Sequence, residues 1–216
     1  LVGMDGSIDF MCFPHFDSPT IFAAILDHDK GGRFRIAPVL DGARQKQLYL
    51  PDSNILLTRF LSAQGVAEIS DFMAIEQNGD RWHDLVRRVK TVRGEIRFRM
   101  VCDPRFDYGR RGHGVEIRGR EAVFRPDGND LPALRLRSGV PIRAEQGAVT
   151  AEFTLHAGET AYFVLEEARE GEESPSCGED YVSRSFKDTL NFWRQWMGRS
   201  NRSEEHTSEL QSQFRI

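Results

Sequence analysis

Cysteine is scarce in this chain, with three residues, Cys12, Cys102 and Cys177, among 216. Their number is odd, they lie far apart, and none belongs to a C-x-x-C pair. A disulfide framework needs paired cysteines and a structural zinc site needs closely spaced ligands, so the sequence indicates neither. We predict a reducing, cytoplasmic setting, in which Cys12 and Cys102 are small buried hydrophobic residues.

Signatures of metal and phosphate binding are also missing. The six histidines include no H-x-x-x-H pair or comparable spacing. The glycine-rich stretch 109–114 lacks the G-x-x-x-x-G-K-[ST] order and the following helix that a phosphate-binding loop requires. We predict an exposed loop at 109–114, no metal site and no cofactor.

The chain has no excess of positive charge, since its formal net charge is −4 and its pI is near 5.9. Nucleic-acid binding needs a basic face, so nucleic acid is not expected as a partner. No apolar run approaches the ~18 residues of a membrane span, so we predict no membrane insertion. The start of the chain shows no signal-peptide pattern, and Leu1 lies within a strand pattern. We therefore expect that residues precede Leu1 in the native protein, and a signal peptide among them stays open.

Short alternating runs of apolar and polar residues fill the stretch 33–166, separated by Gly, Pro, Asn or Asp. In one of these runs Ile96, Phe98 and Met100 alternate with Arg97 and Arg99, which is typical of a strand with one buried face. Many short strands with turn residues between them indicate an antiparallel sandwich. We therefore predict an all-β fold, a large antiparallel β-sandwich over residues 1–173, with a short helical turn at 20–27.

The C-terminal part differs in composition. Val182, Phe186, Leu190, Trp193 and Met197 recur at helical spacing, which predicts a linker helix within 174–198 that ends at a glycine cap. Residues 199–216 are predicted to be a non-native disordered tail, because the stretch 202–212 has one large apolar side chain and nothing to bury. That stretch also resembles the translation of a sequencing-library adapter, so we expect the native gene to continue past residue 201.

Several motifs resemble the N-terminal domain of glycoside hydrolase family 15, the bacterial glucoamylase and trehalase-like enzymes. The opening follows that family's pattern, although Phe10 stands where Trp is usual and His15 where Arg is usual. The resemblance covers roughly residues 1 to 198 and is carried, in order, by Leu1-Val-Gly-Met-Asp-Gly-Ser-Ile-Asp-Phe-Met-Cys-Phe-Pro-His-Phe-Asp-Ser-Pro19, Phe22-Ala-Ala-Ile-Leu26, Tyr49-Leu-Pro-Asp-Ser-Asn-Ile-Leu-Leu-Thr-Arg-Phe60, Asp71-Phe-Met73, Leu85-Val-Arg-Arg-Val89 and Pro104-Arg-Phe-Asp-Tyr-Gly109.

The resemblance implies a parent enzyme, an inverting glycoside hydrolase that acts on trehalose or α-glucosidic oligosaccharides. Inversion needs a carboxylic acid and a carboxylate base on opposite sides of the scissile bond. The family supplies both from a helical (α/α) barrel that follows the sandwich, and this chain has no residues for one. The implied partners are therefore the missing barrel of the same polypeptide and, through it, an α-glucosidic sugar. We assign no catalytic residue here and predict that the fragment alone is inactive.

Two loop segments of the sandwich have a similar sequence, a basic or titratable residue followed by Phe and Asp. They are His15-Phe16-Asp17 and Arg105-Phe106-Asp107. An aromatic ring beside hydrogen-bonding groups suits sugar recognition, so these loops are candidates for the substrate cleft or the domain contact. The alternative is a buried phenylalanine that anchors each loop, with a local bond to the aspartate. Trp193 and Trp196 are further candidates, because one helix face cannot hide both rings together with Phe192. The candidate residues are His15, Phe16, Asp17, Arg105, Asp107, Trp193 and Trp196.

Two alternatives to a non-catalytic fragment remain at this point. The chain could be an independent carbohydrate-binding or interaction module that shares the sandwich fold. It could also be a self-sufficient enzyme that uses Asp9, Asp17 or Asp107. Asp5 is explained by its turn with Gly6, and Asp9 is expected to pair with an arginine across the sheet.

Overall fold

The computed structural model describes residues 1–75, 84–168 and 178–212, and the side chains of these ranges as far as residue 199. Strands dominate the described residues, and two segments are assigned as helix, Phe106–Gly109 (α1) and Glu179–Ser212 (α2). The strands are Ser7–Ile8 (β1), Met11–Cys12 (β2), Thr20–Phe22 (β3), Arg33–Pro38 (β4), Arg44–Tyr49 (β5), Leu56–Leu61 (β6), Val66–Met73 (β7), Leu85–Arg93 (β8), Glu95–Asp103 (β9), His113–Arg118 (β10), Glu121–Pro126 (β11), Ala133–Ser138 (β12), Arg143–Glu145 (β13), Ala148–His156 (β14) and Thr160–Ala168 (β15).

The strands form a five-stranded sheet in the order β1-β4-β9-β14-β13, an eight-stranded sheet in the order β10-β11-β12-β15-β8-β7-β6-β5, and the small pair β2-β3. Neighbouring strands pair antiparallel throughout these sheets. The predicted all-β antiparallel sandwich, followed by a helix, is confirmed.

Alternation in β9 follows the predicted pattern. Ile96, Phe98, Met100 and Cys102 are buried, and the residues between them are exposed or half-buried. The core lies between the sheets, where Phe34 of the five-stranded sheet meets Phe163 of the eight-stranded sheet edge to face, with ring centroids 6.4 Å apart. Because each buried large apolar side chain contributes about 1.5–3 kcal/mol, this layer is the main source of stability.

One charged side chain lies inside this core. Arg87 of β8 is fully buried, and its Nε and Nη2 donate to the carboxylate of Asp71 on β7 at 2.8 and 3.1 Å. Its remaining donors reach the main-chain carbonyls of Phe34 in β4 and Gly6 beside β1, the latter at 2.9 Å. Arg87 therefore bonds the eight-stranded sheet to the five-stranded one, and the motifs 71–73 and 85–89 meet at this ion pair.

The predicted helical turn at 20–27 is wrong. Thr20–Phe22 is a strand, because Ile21 and Phe22 are both needed in the core and Thr20 is buried beside them. Ile25 and Leu26, which the helical spacing would have buried, are 59% and 68% exposed in the turn that follows. Burial of these side chains at the end of the core therefore favours a strand here, although the local spacing of apolar residues favours a helix.

Helix α2 packs against the outer face of the eight-stranded sheet. The predicted apolar stripe is confirmed, since Val182 is buried and Phe186 meets Phe72 of β7 with ring centroids 5.7 Å apart. Arg88 of β8 lies over the ring of Phe186 at 5.5 Å, and the hydroxyl of Tyr181 donates to Asp84. The residues 169–177, which include the predicted domain boundary at 173 and Cys177, lie outside the described residues.

The end of α2 differs from its prediction. The helix continues through Gly198 to Ser212, so the predicted stop at Gly198 is wrong, and helix occupies part of the stretch 199–216 expected to be disordered. Gly198 is not in the left-handed conformation of a C-terminal cap. Glycine inside a helix costs about 1 kcal/mol, and no proline follows to block the next turns. Residues 213–216 lie outside the described residues.

Candidate functional site

His15, Phe16 and Asp17 lie in the loop between β2 and β3, directly after the cis peptide bond Phe13-Pro14. The loop is a tight turn, in which the main-chain N–H of Ser18 donates to the carbonyl of His15 at 3.2 Å and the N–H of His15 donates to Oγ of Ser18 at 3.2 Å. All three candidate side chains are exposed, and Phe16 is 93% exposed. This turn presents its aromatic ring to solvent instead of anchoring the loop with it.

The segment Arg105-Phe106-Asp107 has a different environment. Phe106 is buried, and its ring contacts His113 with centroids 5.6 Å apart. Arg105 is half-buried and its Nη2 donates to Asp103 at 3.1 Å, whereas Asp107 lies 4.0 Å from Arg110. The alternative of a buried phenylalanine anchor therefore holds for Phe106 and fails for Phe16.

The backbone of α1 is unusual. Asp107 has φ 50° and ψ 56°, and Tyr108 has φ 58° and ψ 31°, so two successive non-glycine residues are left-handed. Such a conformation costs about 1–2 kcal/mol per residue for an L-amino acid. Buried Phe106 and the hydrogen bond from N–H of Arg111 to the carbonyl of Phe106, 3.2 Å long, hold it. The turn leaves Tyr108 46% exposed, a ring that sequence analysis missed although it directly follows a candidate residue.

The loop 104–110 lies against β3 and against the turn that follows β3. The N–H of Arg105 donates to the carbonyl of Ile21 in β3 at 2.8 Å. A Cβ placed on Gly109 would approach the carbonyl oxygen of Lys30 at 3.1 Å, so α1 also lies against the turn after β3. The structure thus brings the segments 20–32 and 104–110 together at the end of β9.

The tryptophan candidates form an aromatic row on α2. Trp193 lies between Phe192 and Trp196, with ring centroids 5.5 and 5.7 Å from them, in edge-to-face contacts. Phe192 and Trp196 are 42% and 53% exposed, and Trp193 is half-buried. The predicted exposed apolar patch on this helix is present.

Helix α2 carries this aromatic row toward the end of the sandwich at which β9 ends. Near its start, Glu179 accepts a hydrogen bond from the hydroxyl of Thr160, at the beginning of β15, at 2.8 Å. Ten residues on, Thr189 Oγ1 accepts from the N–H of Ile75, just after β7, at 3.2 Å. The ends of β7 and β9 lie together, because Arg87 joins Asp71 of β7 to Phe34 of β4, which pairs with Cys102 of β9.

The carboxylates near the N-terminus serve local structure. Asp5 accepts a hydrogen bond from the N–H of Ser7 at 3.2 Å and pairs with Arg35 at 3.0 Å, which confirms its turn role. Asp9 accepts from the hydroxyl of Ser7 at 2.5 Å, and no arginine of the described residues forms the ion pair with it that the sequence predicts. The side chain of Ser7 is the nearer partner, because residues i and i+2 share a face of an extended chain.

The buried carboxylates of the described residues are also engaged. Asp71 is bonded to Arg87, Asp84 to Tyr181, and Glu166 lies 3.4 Å from Arg135 and 3.0 Å from Arg137. Each is therefore bonded to other side chains of the scaffold. Within the same ranges no group of three or more His, Cys, Asp or Glu residues could hold a metal ion.

Of the helical segments that the structure describes, neither combines the length and apolar character needed to cross a bilayer.

Comparison with known proteins places the whole sandwich in one family. Residues 1–189 match the family described as trehalase-like, N-terminal. The chain is 29% identical over 218 residues to the trehalase of Mycolicibacterium smegmatis, an alignment that covers 91% of this chain and 32% of the relative. It is 28% identical over 229 residues to the trehalase of Mycobacterium tuberculosis, covering 93% and 32%, respectively.

An archaeal relative agrees with these two. The chain is 31% identical over 197 residues to Trehalase 1 of Sulfolobus acidocaldarius, which covers 88% of this chain and 31% of the relative. The chain spans about a third of the length of the curated relatives it matches.

Proposed function

Because the chain belongs to the family of trehalase-like N-terminal domains, we propose that it is the β-sandwich part of an inverting glycoside hydrolase of family 15. The proposed substrate class is trehalose or another α-glucosidic sugar. The observation that carries the proposal is the match to three trehalases, each along about a third of its length.

The chemistry of inversion is consistent with this division of the enzyme. A general acid and a general base must face each other across about 6.5–9.5 Å, with room for substrate and water. In the described residues the buried carboxylates are bound to arginine or tyrosine side chains of the scaffold. We propose that the catalytic pair belongs to a helical barrel in the rest of the parent polypeptide.

The end of the sandwich that carries the candidate residues is the proposed contact with this barrel. Trp196 and Phe192 are exposed apolar surface that a second domain would bury. Phe16 and Tyr108 project from tight turns and could form one wall of a sugar cleft, with Asp17 and Arg105 as polar neighbours. The left-handed backbone at Asp107 and Tyr108 supports a functional role, since strained residues cluster at ligand sites.

The direct test is to read the gene downstream of the codon for Asn201 and to express the product. We expect an open reading frame for a helical domain, and a full-length protein that releases glucose from trehalose. A stop codon soon after Asn201 in genomic DNA would contradict the proposal. The purified 216-residue chain should release no glucose from trehalose or maltose, and release that disappears in Asp17→Asn or Asp107→Asn would assign catalysis to the sandwich.

An independent carbohydrate-binding module is the second candidate, and the 93% exposure of Phe16 favours it. A ring that stands free in solvent can stack on the apolar face of a sugar without a barrel. Calorimetric titration of the chain with glucose, maltose and trehalose separates the two functions. Saturable binding that is lost in Phe16→Ala but kept in the exposed control Tyr49→Ala would establish the module.

We propose a cytoplasmic location for the parent enzyme. Cys12 and Cys102 are free thiols, and Cys102 is buried in the core. Free thiols persist in a reducing compartment. Fractionation of the native host, with an antibody against this chain, should place the protein in the cytosol, and recovery from the culture medium would contradict this.

A further inference from the structure

The turn that joins β3 to β4, residues 23–32, carries two neighbouring apolar side chains that the core does not use. Ile25 is 59% exposed and Leu26 is 68% exposed. The residues that follow them in this turn, 27–30, are polar or charged and also exposed. An apolar centre with a polar rim is the composition of a protein–protein contact, whereas apolar residues scattered singly on a surface are ordinary.

Hydrogen bonds within the β3–β4 turn hold its shape. Oδ1 of Asp27 accepts from the N–H groups of Asp29 and Lys30, each at 3.0 Å. The N–H groups of Lys30 and Asp29, in that order of effect, lower the pKa of the Asp27 carboxyl below its ordinary value. Nη2 of Arg33 donates to the carbonyl of His28 at 2.7 Å. The exposed apolar pair therefore belongs to a structured turn with its own side-chain bonds.

Main chain occupies the inner side of this turn. The N–H of Ile25 donates to the carbonyl of Asp9, directly after β1, at 3.2 Å. A Cβ placed on Gly32 would lie 2.2 Å from the carbonyl oxygen of Asp103, the last residue of β9. The turn thus lies against the end of the five-stranded sheet through its backbone, and Ile25 and Leu26 face solvent. Only a surface from outside the sandwich can bury them.

The turn lies at the end of the sandwich to which α2 leads. Asp103 marks that end on β9, and Thr189 of α2 is bonded to Ile75, just after β7, at the same end. Beyond Thr189 the rings of Phe192 and Trp196 are exposed. This chain spans about a third of the length of its curated relatives. In the proposed parent enzyme the larger, helical domain therefore starts next to this end.

We propose that Ile25 and Leu26 form a docking surface for the helical domain that follows α2 in the parent polypeptide, an inference that rests on the proposed function. A domain attached through α2 alone could turn about that helix. A second contact through a structured turn fixes its orientation, and with it the position of the sandwich loops relative to the sugar site. The two apolar side chains inside a polar rim suit a contact between domains of one chain.

Thiol labelling measures burial of this turn directly. Leu26→Cys is introduced into the 216-residue chain and into the full-length parent enzyme, and a maleimide is added to each. We expect rapid labelling in the short chain and labelling at least about tenfold slower in the full-length enzyme, because a buried thiol reacts only through local opening. The native cysteines give the background in the unsubstituted proteins, and mass spectrometry locates the label.

Val39→Cys is the matched control for labelling. Val39 is 59% exposed, as Ile25 is, but its N–H donates to the carbonyl of Arg97 near the start of β9, at the other end of the sheet. It should react equally fast in both proteins. Protection of Val39→Cys as strong as that of Leu26→Cys would show general shielding by the added domain and would overturn the proposal.

A charge at the contact provides a second measurement. Leu26→Lys should shorten the half-life of trehalose hydrolysis during heating of the full-length enzyme by at least about threefold, since it places a cation on an apolar contact. The same change should leave the melting of the 216-residue chain unaltered, because the side chain is exposed there. Val39→Lys should leave both measurements unaltered.

Equal labelling of Leu26→Cys in the two proteins overturns the proposal, even if the full-length enzyme releases glucose from trehalose. The reverse result, protection of Leu26→Cys in a full-length protein that releases no glucose, supports the docking surface and contradicts the proposed function. A third result concerns a second copy. If the 216-residue chain forms dimers in sedimentation, and Leu26→Lys abolishes them, the turn joins two copies and the proposal is overturned.

Discussion

At the scale of single residues, Phe106 and Phe16 show how identical side chains in similar phrases take opposite roles. Phe106 is 2% exposed and Phe16 is 93% exposed, although each is preceded by a basic or titratable residue and followed by aspartate. Phe106 is buried because α1 lies against β3 and places the ring on His113, which in turn contacts Phe124. Phe16 sits at the tip of a turn that has no layer above it.

Phe106→Ala should lower the free energy of unfolding by about 3–5 kcal/mol, because it empties a filled site at the end of the core. Phe16→Ala is the matched control and should change it by no more than about 0.5 kcal/mol. Urea unfolding followed by circular dichroism measures both. Equal losses in the two variants would mean that Phe16 is buried in solution.

The thiol of Cys102 makes the free energy of unfolding depend on pH in the alkaline range. Burial raises the pKa of its thiol well above the ordinary value of 9.0, Asp103 adds to this, and Arg87 opposes it. The pKa of this thiol in the folded chain lies above its value in the unfolded chain. The stability that the protonated thiol contributes is therefore fully present below pH 9.0 and is lost as the pH rises toward the folded pKa. In that window the thiol alone should reduce the free energy of unfolding by about 1.4 kcal/mol per pH unit.

The pH effect is measured as a difference between the parent chain and Cys102→Ala. Urea unfolding below and above pH 9.0 should show a steeper alkaline loss in the parent chain. Other groups that titrate in this range are common to both proteins and cancel. Parallel pH profiles would show that Cys102 is accessible to water in the folded state.

At the scale of elements, helix α2 has two faces with different partners. Val182 and Phe186 lie on the eight-stranded sheet, where they cover Phe72, Val86 and Val164. Phe192 and Trp196 lie about two and three turns beyond Phe186 and are exposed. The first face belongs to the stability of the sandwich, and the second is available to another domain.

Phe186→Ala should therefore destabilise the chain by about 2 kcal/mol, less than a fully buried phenylalanine, since the ring is half-buried between Phe72 and Arg88. Phe192→Ala, on the same helix, should alter the unfolding free energy by no more than about 0.5 kcal/mol. The measurement is thermal unfolding of both variants beside the parent chain. A loss at Phe192 as large as that at Phe186 would show that the exposed face is already covered, for example by self-association.

At the scale of the whole molecule, the buried side chain of Arg87 bonds the two sheets to each other. Arg87 and Asp71 lie on neighbouring strands of one sheet, and Arg87 also donates to carbonyl groups that belong to the other. A buried pair of this kind contributes little over an apolar pair of the same volume, but breaking it leaves a charge without a partner. The hydrogen bonds of Arg87 thus connect strands β7 and β8 of one sheet to β4 and the residue before β1 of the other.

Arg87→Met should lower the free energy of unfolding by about 3–5 kcal/mol, because Asp71 is left buried and unpaired. The double variant Arg87→Met with Asp71→Leu should recover most of this loss. Arg97→Met, which removes an exposed arginine from its pair with Glu152, is the control and should change stability little. If Arg87→Met behaves like Arg97→Met, water reaches the pair in solution.

Much of this architecture was predictable from residue order alone. Alternation of Ile96, Phe98, Met100 and Cys102 determined which face of β9 is buried, because side chains of a strand alternate between two environments. The spacing from Val182 to Met197 determined the apolar face of α2 for the same kind of geometric reason. The motifs at the N-terminus and around 85–89 determined the family.

Only the tertiary structure decided which residues separated in sequence share a surface. It buried Phe106 and exposed Phe16, made 20–22 a strand, and paired Arg87 with Asp71. Periodicity reports only which face a side chain occupies along its own element. Contact partners, burial at the ends of elements and local charge balance depend on how distant strands come together, and no local pattern contains that information.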